Sequence, residues 1–175
     1  GTAEAYRAAF EKFAARVRPD GLLLVCADAP QALALGLARR AAGAHVERYG
    51  LDADGAEWNG TRVRGNDHGG LDCTVSLNGT ELGRLSIGIP GRHNLQNALG
   101  ALAAAMRAGV DFHRATAAAS AFTGARRRFE ILGDVEVDGG VVTVVDDYAH
   151  HPTEVRVNVL AARQRFPGRR LVACF

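Results

Sequence analysis

Hydrophobic residues near the start of the chain recur every three or four positions, the spacing of a helix with one buried face: Ala3, Tyr6, Phe10 and Phe13. This spacing predicts a helix over residues 4–17, closed by a Pro-Asp-Gly turn. Residues 22–26 are continuously apolar, which is typical of a strand buried on both faces of a parallel sheet. Helical spacing at residues 31–42 and a strand pattern at 45–49 follow. This strand–helix–strand order predicts a right-handed crossover and a parallel sheet.

Short alternating runs replace this pattern in the middle of the chain. The runs at residues 61–64, 71–77 and 82–87 are separated by turn signals such as Asn78-Gly79. Alternation over a few residues is typical of strands with one buried face. We therefore expect an antiparallel patch at the margin of the parallel sheet.

Two helices are expected next. Residues 94–108 carry an apolar stripe at helical spacing and precede Gly109, a residue type that commonly follows a helix end. The stripe consists of Leu95, Leu99, Leu102 and Met106. A shorter helix is expected at residues 113–121.

Beyond Gly124 the pattern predicts two strands, a helix and a final strand. The strands are expected at residues 129–132 and 141–145, with the second buried in a parallel sheet, and the helix at 152–165. The apolar run from Leu171 onward predicts the last strand.

The order of these elements predicts an α/β fold in two domains. A central parallel sheet with an antiparallel margin is expected over residues 1–124, and the start of a second α/β domain over 125–175. A chain of 175 residues, of which 47% are hydrophobic, is long enough for one domain and part of another.

Charge and composition exclude several classes of protein. A formal net charge of +2 is too small for a protein built around nucleic-acid phosphates, and there is no apolar run of membrane-spanning length. We therefore expect no nucleic-acid partner and no membrane insertion. No signal-peptide pattern is present, so we expect a cytoplasmic protein. Three widely separated cysteines without a Cys-x-x-Cys spacing indicate neither a disulfide framework nor a zinc knuckle.

The two ends of the printed chain do not resemble natural termini. The chain has no initiating Met and opens directly into a helical pattern. At the other end, residues 171–175 are apolar and stop without a turn signal. We expect the chain to be an internal piece of a longer protein.

The first candidate site is the sequence Gly-Arg-His-Asn-Leu-Gln-Asn at residues 91–97. Asn94 is expected near the N-cap of the long helix, with Asn97 one turn further on the same side. Two stacked carboxamides can donate and accept together, as recognition of an adenine edge requires. The alternative is that Asn94 only caps the helix while His93 packs against it. Local considerations favour this alternative, because Asn is common at helix starts.

The second candidate is the arginine triplet at residues 126–128. If it enters a strand, Arg126 and Arg128 share a face while Arg127 points away. One of these arginines is a candidate for holding a ribose hydroxyl or a phosphate. The alternative is a solvated surface patch, which is the usual role of a short basic run.

The third and most specific candidate is the sequence from Val144 to Glu154, Val-Val-Asp-Asp-Tyr-Ala-His-His-Pro-Thr-Glu. If residues 141–145 form a parallel strand, residues 146–151 lie at the carboxyl edge of the sheet, where α/β proteins bind ligands. Adjacent Asp-Asp and His-His pairs chelate poorly because neighbours in extended chain point apart, so no metal site is expected. An ionised Asp suits the two hydroxyl donors of a ribose. The alternative is that Asp146 or Asp147 caps the following helix.

Together these sequences resemble the Mur ligase family. The similarity rests on Gly-Arg-His-Asn-Leu-Gln-Asn-Ala at 91–98, Arg-Arg-Phe-Glu at 127–130 and Asp-Asp-Tyr-Ala-His-His-Pro-Thr-Glu at 146–154, and it runs through essentially the whole chain. The last sequence resembles the member that adds L-alanine to UDP-N-acetylmuramate. The resemblance implies an ATP-binding central domain followed by the start of a Rossmann-like C-terminal domain that helps bind the amino acid.

The resemblance also implies roles for individual residues. His93, Asn94 and Asn97 would surround adenine, and Arg128 and Asp147 would hold the ribose. The remaining two residues, Tyr148 and His150, would face the cleft where an acyl phosphate meets the incoming amine and are the candidate catalytic residues. ATP and Mg²⁺ are the implied cofactors, with the Mg²⁺ ligands expected outside this chain.

The sequence departs from the family pattern because it has no Gly-x-x-x-x-Gly-Lys-Ser/Thr loop. We therefore expect the isolated chain to be inactive. Two alternatives remain. One is another amide ligase of the same superfamily, such as the recycling murein peptide ligase or folylpolyglutamate synthase, and the other is a non-catalytic nucleotide-binding module.

Overall fold

The computed structural model describes residues 2–174. Within them are five helices and seven strands, and the strands form two sheets. In chain order they are α1 (Ala3–Ala14), β1 (Leu23–Cys26), α2 (Pro30–Ala41), β2 (Val46–Leu51), β3 (Trp58–Gly65), β4 (Leu71–Leu77), β5 (Thr80–Ile87), α3 (Arg92–Arg107), α4 (Phe112–Ala121), β6 (Glu130–Val137), β7 (Gly140–Asp146) and α5 (Pro152–Arg165). Below, the N-terminal part means α1 to α4 with their strands, and the C-terminal part means β6, β7 and α5.

The first sheet combines parallel and antiparallel strands, as the hydrophobic pattern predicts. Its strand order is β1-β2-β3-β4-β5, with β1, β2 and β3 parallel and β4 and β5 antiparallel to their neighbours. Pro30 begins α2, where its missing N–H costs nothing. Asn78 and Gly79 both have positive φ, 50° and 82°, and form the tight β4–β5 hairpin.

The β2–β3 connection is the one part of this sheet that the pattern did not suggest. β3 runs parallel to β2 over three residues, with Tyr49 beside Trp58 and Leu51 beside Gly60. Parallel neighbours usually need a connection of a dozen or more residues. Here the loop at residues 52–57 is long enough, because the first residue of β3, Trp58, lies beside Tyr49, only two residues before the end of β2.

The core lies between the sheet and one face of α3. Leu95 and Leu99 are fully buried and pack among Val75 and Leu85, which are also fully buried. Gly100 lets the helix approach the sheet closely, since a Cβ there would lie 2.7 Å from the ring of Tyr49. The predicted apolar stripe is therefore the inner face of α3.

The C-terminal part differs from the prediction in two respects. β7 pairs antiparallel with β6 in a two-stranded hairpin, and Val141 and Val142 are each about half exposed. The prediction that residues 141–145 form a buried parallel strand is therefore wrong. Residues 171–174 have no regular structure, so the strand predicted from Leu171 is not formed over them. Phe175, the last residue of that prediction, lies outside the described residues. The helix predicted at residues 152–165 is confirmed.

No helix within residues 2–174 is both long enough and apolar enough to cross a membrane.

The short β2–β3 loop is held by a carboxylate between two arginines. Glu57 accepts hydrogen bonds from the guanidinium of Arg40 at 2.9 Å and from the backbone N–H of Arg48 at 2.7 Å. Burial alone would raise the pKa of Glu57, but the hydrogen bonds from Arg48 and Arg40 outweigh it and lower the pKa to about 2. Ionised Glu57 therefore stabilises the folded chain.

We expect Glu57→Gln to lower the free energy of unfolding by about 1.5–3 kcal/mol at pH 7, the range for hydrogen bonds to a charged group. A carboxyl with a lowered folded pKa stabilises fully above its unfolded value near 4.5, and this stabilisation is lost as the pH falls toward 2. Urea unfolding of both proteins between pH 7 and pH 3 should show the difference shrinking at the acid end.

The matched control is Glu81→Gln, since Glu81 forms an exposed ion pair with Arg62. Its effect should stay under about 0.5 kcal/mol at every pH. Equal losses in the two variants would contradict the role assigned to Glu57.

Candidate functional site

The start of α3 is built around Gly91 rather than Asn94. Gly91 is the N-cap, with φ of 100°, and the helix begins at Arg92. The prediction that Asn94 sits near the N-cap is therefore off by three residues, because the left-handed glycine turns the chain into the helix earlier. Asn94 lies in the first turn, where its Nδ2 donates to the carbonyl of Pro90 at 2.7 Å.

Two side chains that sequence reasoning missed anchor this first turn to the sheet. The guanidinium of Arg92 donates to the carbonyl of Leu51 at 2.8 Å, and Nε2 of Gln96 donates to the carboxylate of Asp28 at 2.6 Å. Asp28 also accepts from the N–H of Leu51 at 2.9 Å. The signal available in the sequence was that Asp28 is a polar residue two positions after an apolar strand. These contacts hold the helix start at the carboxyl ends of β1 and β2.

Asn94 and Asn97 line a cavity of about 690 Å³ between α3, α4 and β5. Apart from these two residues and Arg114, its lining is apolar and includes Ile89 and Phe122. Within residues 2–174 the carboxamide of Asn97 makes no hydrogen bond, and the side chain is exposed. An apolar cavity with a free carboxamide suits a flat heterocycle that carries donors and acceptors.

His93 faces the C-terminal part. Burial lowers the pKa of His93 below its ordinary value of 6.5, while the negative charge of Asp147 opposes this shift. The two side chains are therefore electrostatically coupled across the two parts of the chain. The lowered pKa favours a neutral imidazole near pH 7, with one nitrogen as donor and the other as acceptor.

The carboxylate of Asp147 organises the C-terminal part. It accepts from the N–H groups of Phe129 and Ala149, both at 2.7 Å, and from Nδ2 of Asn158 at 2.8 Å. A carboxylate has about four acceptor sites, so these three bonds leave room for about one further donor. Asp147 thus joins the start of β6, the end of β7 and α5.

Neither Asp146 nor Asp147 caps α5. His151 is the N-cap, with its Nδ1 accepting from the N–H of Thr153 at 3.3 Å, while Glu154 accepts from the N–H groups of His150 and His151. These backbone bonds lower the pKa of Glu154. The helix-capping alternative for the two aspartates is therefore wrong, and a capping box performs that task instead.

The arginine triplet lies in a turn, not in a strand. Arg127 and Phe129 have positive φ, 57° and 50°, and β6 begins only at Glu130. The predicted alternation of Arg126 and Arg128 on one face therefore does not apply, since it requires extended backbone. The guanidinium of Arg128 lies 3.9 Å from the carboxylate of Glu154.

Tyr148 lies between two neighbours at the surface. The guanidinium of Arg127 lies 4.6 Å from the centre of its ring, and the ring of His150 lies 5.1 Å away on centroids. Nδ1 of His150 is 3.0 Å from the carbonyl of Tyr148 and 3.7 Å from the carboxylate of Glu154. Both rings are open to solvent, and Tyr148 is 52% exposed.

The structure thus groups the predicted site residues into two sets. Arg128 lies in the turn before β6, while Asp147, Tyr148 and His150 lie on the loop between β7 and α5, and His93 is coupled to this set through Asp147. Asn94 and Asn97 line the cavity between α3, α4 and β5, whereas Asp147 lines a separate cavity of about 830 Å³ next to β7 and α5. Residues 2–174 contain no group of three or more His, Cys, Asp or Glu placed to hold a metal ion.

We expect Asp147→Asn to lower the pKa of His93 further, because the charge of Asp147 is the influence that raises it. An NMR titration of the His93 ring measures this directly. Asp146→Asn is the matched control, since the carboxylate of Asp146 is directed at Arg127, 3.7 Å away. The same shift in both variants would mean that His93 senses only the overall charge of the loop.

Comparison with known proteins identifies relatives for both parts. The family model described as Mur ligase middle domain matches residues 1–105, and the one described as Mur ligase, glutamate ligase domain matches residues 127–175. UDP-N-acetylmuramate–L-alanine ligases from Mycolicibacterium gilvum and Kineococcus radiotolerans are each 42% identical over 100% of this chain and 36% of their own length. The chain therefore spans about a third of these relatives.

Solved structures show the same relationship. The UDP-N-acetylmuramate-alanine ligase from Thermotoga maritima has a TM-score of 0.72 and 26% identity, with 95% of this chain and 35% of that chain covered. Folylpolyglutamate synthetase from Lactobacillus casei has a TM-score of 0.71 over 95% of this chain and 41% of that chain, but only 17% identity, so it shows the fold alone. On the match of both family models, the chain belongs to the Mur ligase family.

Proposed function

We propose that this chain is part of an ATP-dependent ligase that joins L-alanine to UDP-N-acetylmuramate in peptidoglycan precursor synthesis, and that it supplies the adenosine-binding part of the ATP site. The observation that carries the proposal is the 42% identity, over the whole chain, to relatives named for this reaction. The electrostatic coupling of His93 to Asp147 supports it, because an adenosine site shared by the two parts needs these residues close together.

In this proposal the start of α3 reads adenine. Asn97 offers a complete free carboxamide, and Asn94 still has its carbonyl oxygen because only its Nδ2 is bonded to Pro90. Neutral His93 adds one donor and one acceptor. The apolar lining beside Asn94 and Asn97 supplies the flat contact surface that a purine ring needs.

Asp147 and Arg128 hold the ribose. The one acceptor site that Asp147 has left is enough for a ribose hydroxyl, and its three internal hydrogen bonds keep the carboxylate in place before the nucleotide arrives. Among residues 2–174 the guanidinium of Arg128 has a distant partner, Glu154 at 3.9 Å, so it can donate to the second hydroxyl.

Tyr148 and His150 face the reacting groups. In the proposed reaction the lactyl carboxylate accepts a phosphoryl group from ATP, and the amine of L-alanine then attacks this acyl carbon and releases phosphate. This chemistry depends on positioning and charge neutralisation more than on proton transfer. The described residues offer no Mg²⁺ ligand set and the sequence has no phosphate-binding loop, so we assign this chain the nucleoside and not the phosphates.

We expect the chain to bind ADP more tightly than GDP, because guanine presents a carbonyl where adenine presents an amino group. Asn97→Ala should weaken ADP binding about tenfold, the loss of roughly 1.4 kcal/mol in hydrogen bonds, and bring it close to that of GDP. Isothermal titration calorimetry measures both. Gln31→Ala is the control, since Gln31 is exposed and lines neither cavity. Equal ADP and GDP affinity of the unsubstituted chain would remove Asn97 from adenine recognition.

The ligase reaction can be tested in a chimera in which this chain replaces the matching stretch of the Mycolicibacterium gilvum ligase. We expect phosphate release from ATP only when both UDP-N-acetylmuramate and L-alanine are present. Asp147→Asn in the chimera should raise KM for ATP about tenfold, since one charged hydrogen bond is lost, and leave KM for UDP-N-acetylmuramate unchanged.

Asp146→Asn is the control in the same chimera and should leave both KM values unchanged. The isolated 175-residue chain should release no phosphate. If the chimera releases phosphate with another amino acid in preference to L-alanine, a different ligase of the superfamily is favoured. A chimera that binds ATP but never releases phosphate would favour the nucleotide-binding module.

A further inference from the structure

One face of α5 packs on three glycines of the N-terminal part. Ala161, Gln164 and Arg165 are spaced three and four residues apart and therefore share a face of the helix. Ala161 is fully buried, and its Cβ lies 3.1 Å from where a Cβ of Gly91 would be. Arg165 places its guanidinium directly over Gly69.

Gln164 makes the polar contacts of this face. Its Oε1 accepts from the backbone N–H of Gly91 at 3.0 Å, and its Nε2 donates to the carbonyl of Gly70 at 3.2 Å. The two backbone groups belong to loops on either side of the β4–β5 hairpin. A carboxamide can serve both at once because it carries a donor and an acceptor on one carbon.

Gly91 is the residue through which this contact reaches the proposed nucleoside site. It is the N-cap of α3, and its φ of 100° is readily adopted only by glycine. A Cβ at Gly91 would lie 2.7 Å from the imidazole of His93, so the ring occupies the space where a side chain at Gly91 would be. We therefore expect a movement of Gly91 to displace the ring of His93.

We propose that Gln164 is a positioning residue that couples the seating of α5 to the orientation of His93. By holding Gly91 against α5, it keeps His93 on α3 and Asp147 on the β7–α5 loop at one fixed separation. The proposal rests on the assignment of His93 and Asp147 to the adenosine site, and it adds a specific residue that sets how the two parts meet around the nucleoside.

Three variants at this position separate the two hydrogen bonds. Gln164→Met keeps the length of the side chain and removes both bonds, whereas Gln164→Glu keeps an acceptor for Gly91 and loses the donor to Gly70. Gln31→Met is the matched control on α2. In Gln164→Met we expect the amide of Gly91 to exchange with solvent at least about fivefold faster, in the range expected for a lost hydrogen bond, and the NMR signals of the His93 ring to shift.

The Gln164→Glu variant should fall between the unsubstituted chain and Gln164→Met in both measurements. ADP affinity should drop about fivefold in Gln164→Met, while the unfolding midpoint of the N-terminal part stays close to that of the control. A residue that only stabilised the fold would lower the midpoint and leave the His93 signals of the folded protein in place.

Two results would overturn the proposal. One is unchanged Gly91 exchange in Gln164→Met, which would show that the hydrogen bond to Gln164 does not hold the Gly91 backbone in place. The other is faster Gly91 exchange with unshifted His93 signals, which would show that Gly91 does not transmit the loss of the Gln164 contact to His93. If the unsubstituted chain binds no ADP, the adenosine assignment fails, and the Gly91 and His93 measurements still decide whether Gln164 couples the two parts.

Discussion

The site depends on one constraint, the fixed position of the first turn of α3. Leu95 and Leu99 bury one side of the beginning of α3 in the core, and Arg92 and Gln96 tie its polar side to the carboxyl ends of β1 and β2. Since a helix held on two sides can neither rotate nor slide, the remaining side presents its residues in a single arrangement. Gly91 makes this possible by turning the chain into the helix where a larger residue would collide with His93.

Most polar groups around the proposed site are already satisfied by the protein itself. Asp147 holds three donors, and the capping box of His151 and Glu154 fixes the start of α5. Such internal bonds restrict side chains before a ligand binds, which lowers the entropy lost on binding. Asn97 and Arg128 stand out because they retain unused hydrogen-bonding capacity beside these fixed groups.

The errors of the sequence-based prediction have a common cause. The run Val-Val-Thr-Val-Val at 141–145 is rich in valine, and such a run predicts a buried strand without saying which strand pairs with it. In the antiparallel hairpin with β6, Val141 and Val142 are about half exposed. The arginine triplet was likewise assigned alternating faces on the assumption of extended backbone, whereas Arg127 adopts a left-handed conformation.

Local interactions were enough to predict most elements from the sequence. The apolar stripe of α3, Pro30 at the start of α2 and the Asn78-Gly79 hairpin each depend on residues a few positions apart. The sequences at 91–97 and 146–154 became candidate nucleotide-site sequences through their resemblance to the Mur ligase family. Only the tertiary structure decided that β3 returns parallel to β2, that Gln164 bonds to Gly91 across 73 positions, and that Asn97 and Asp147 line separate cavities. These contacts depend on the relative positions of whole elements, which the packing of the complete chain determines and no local pattern encodes.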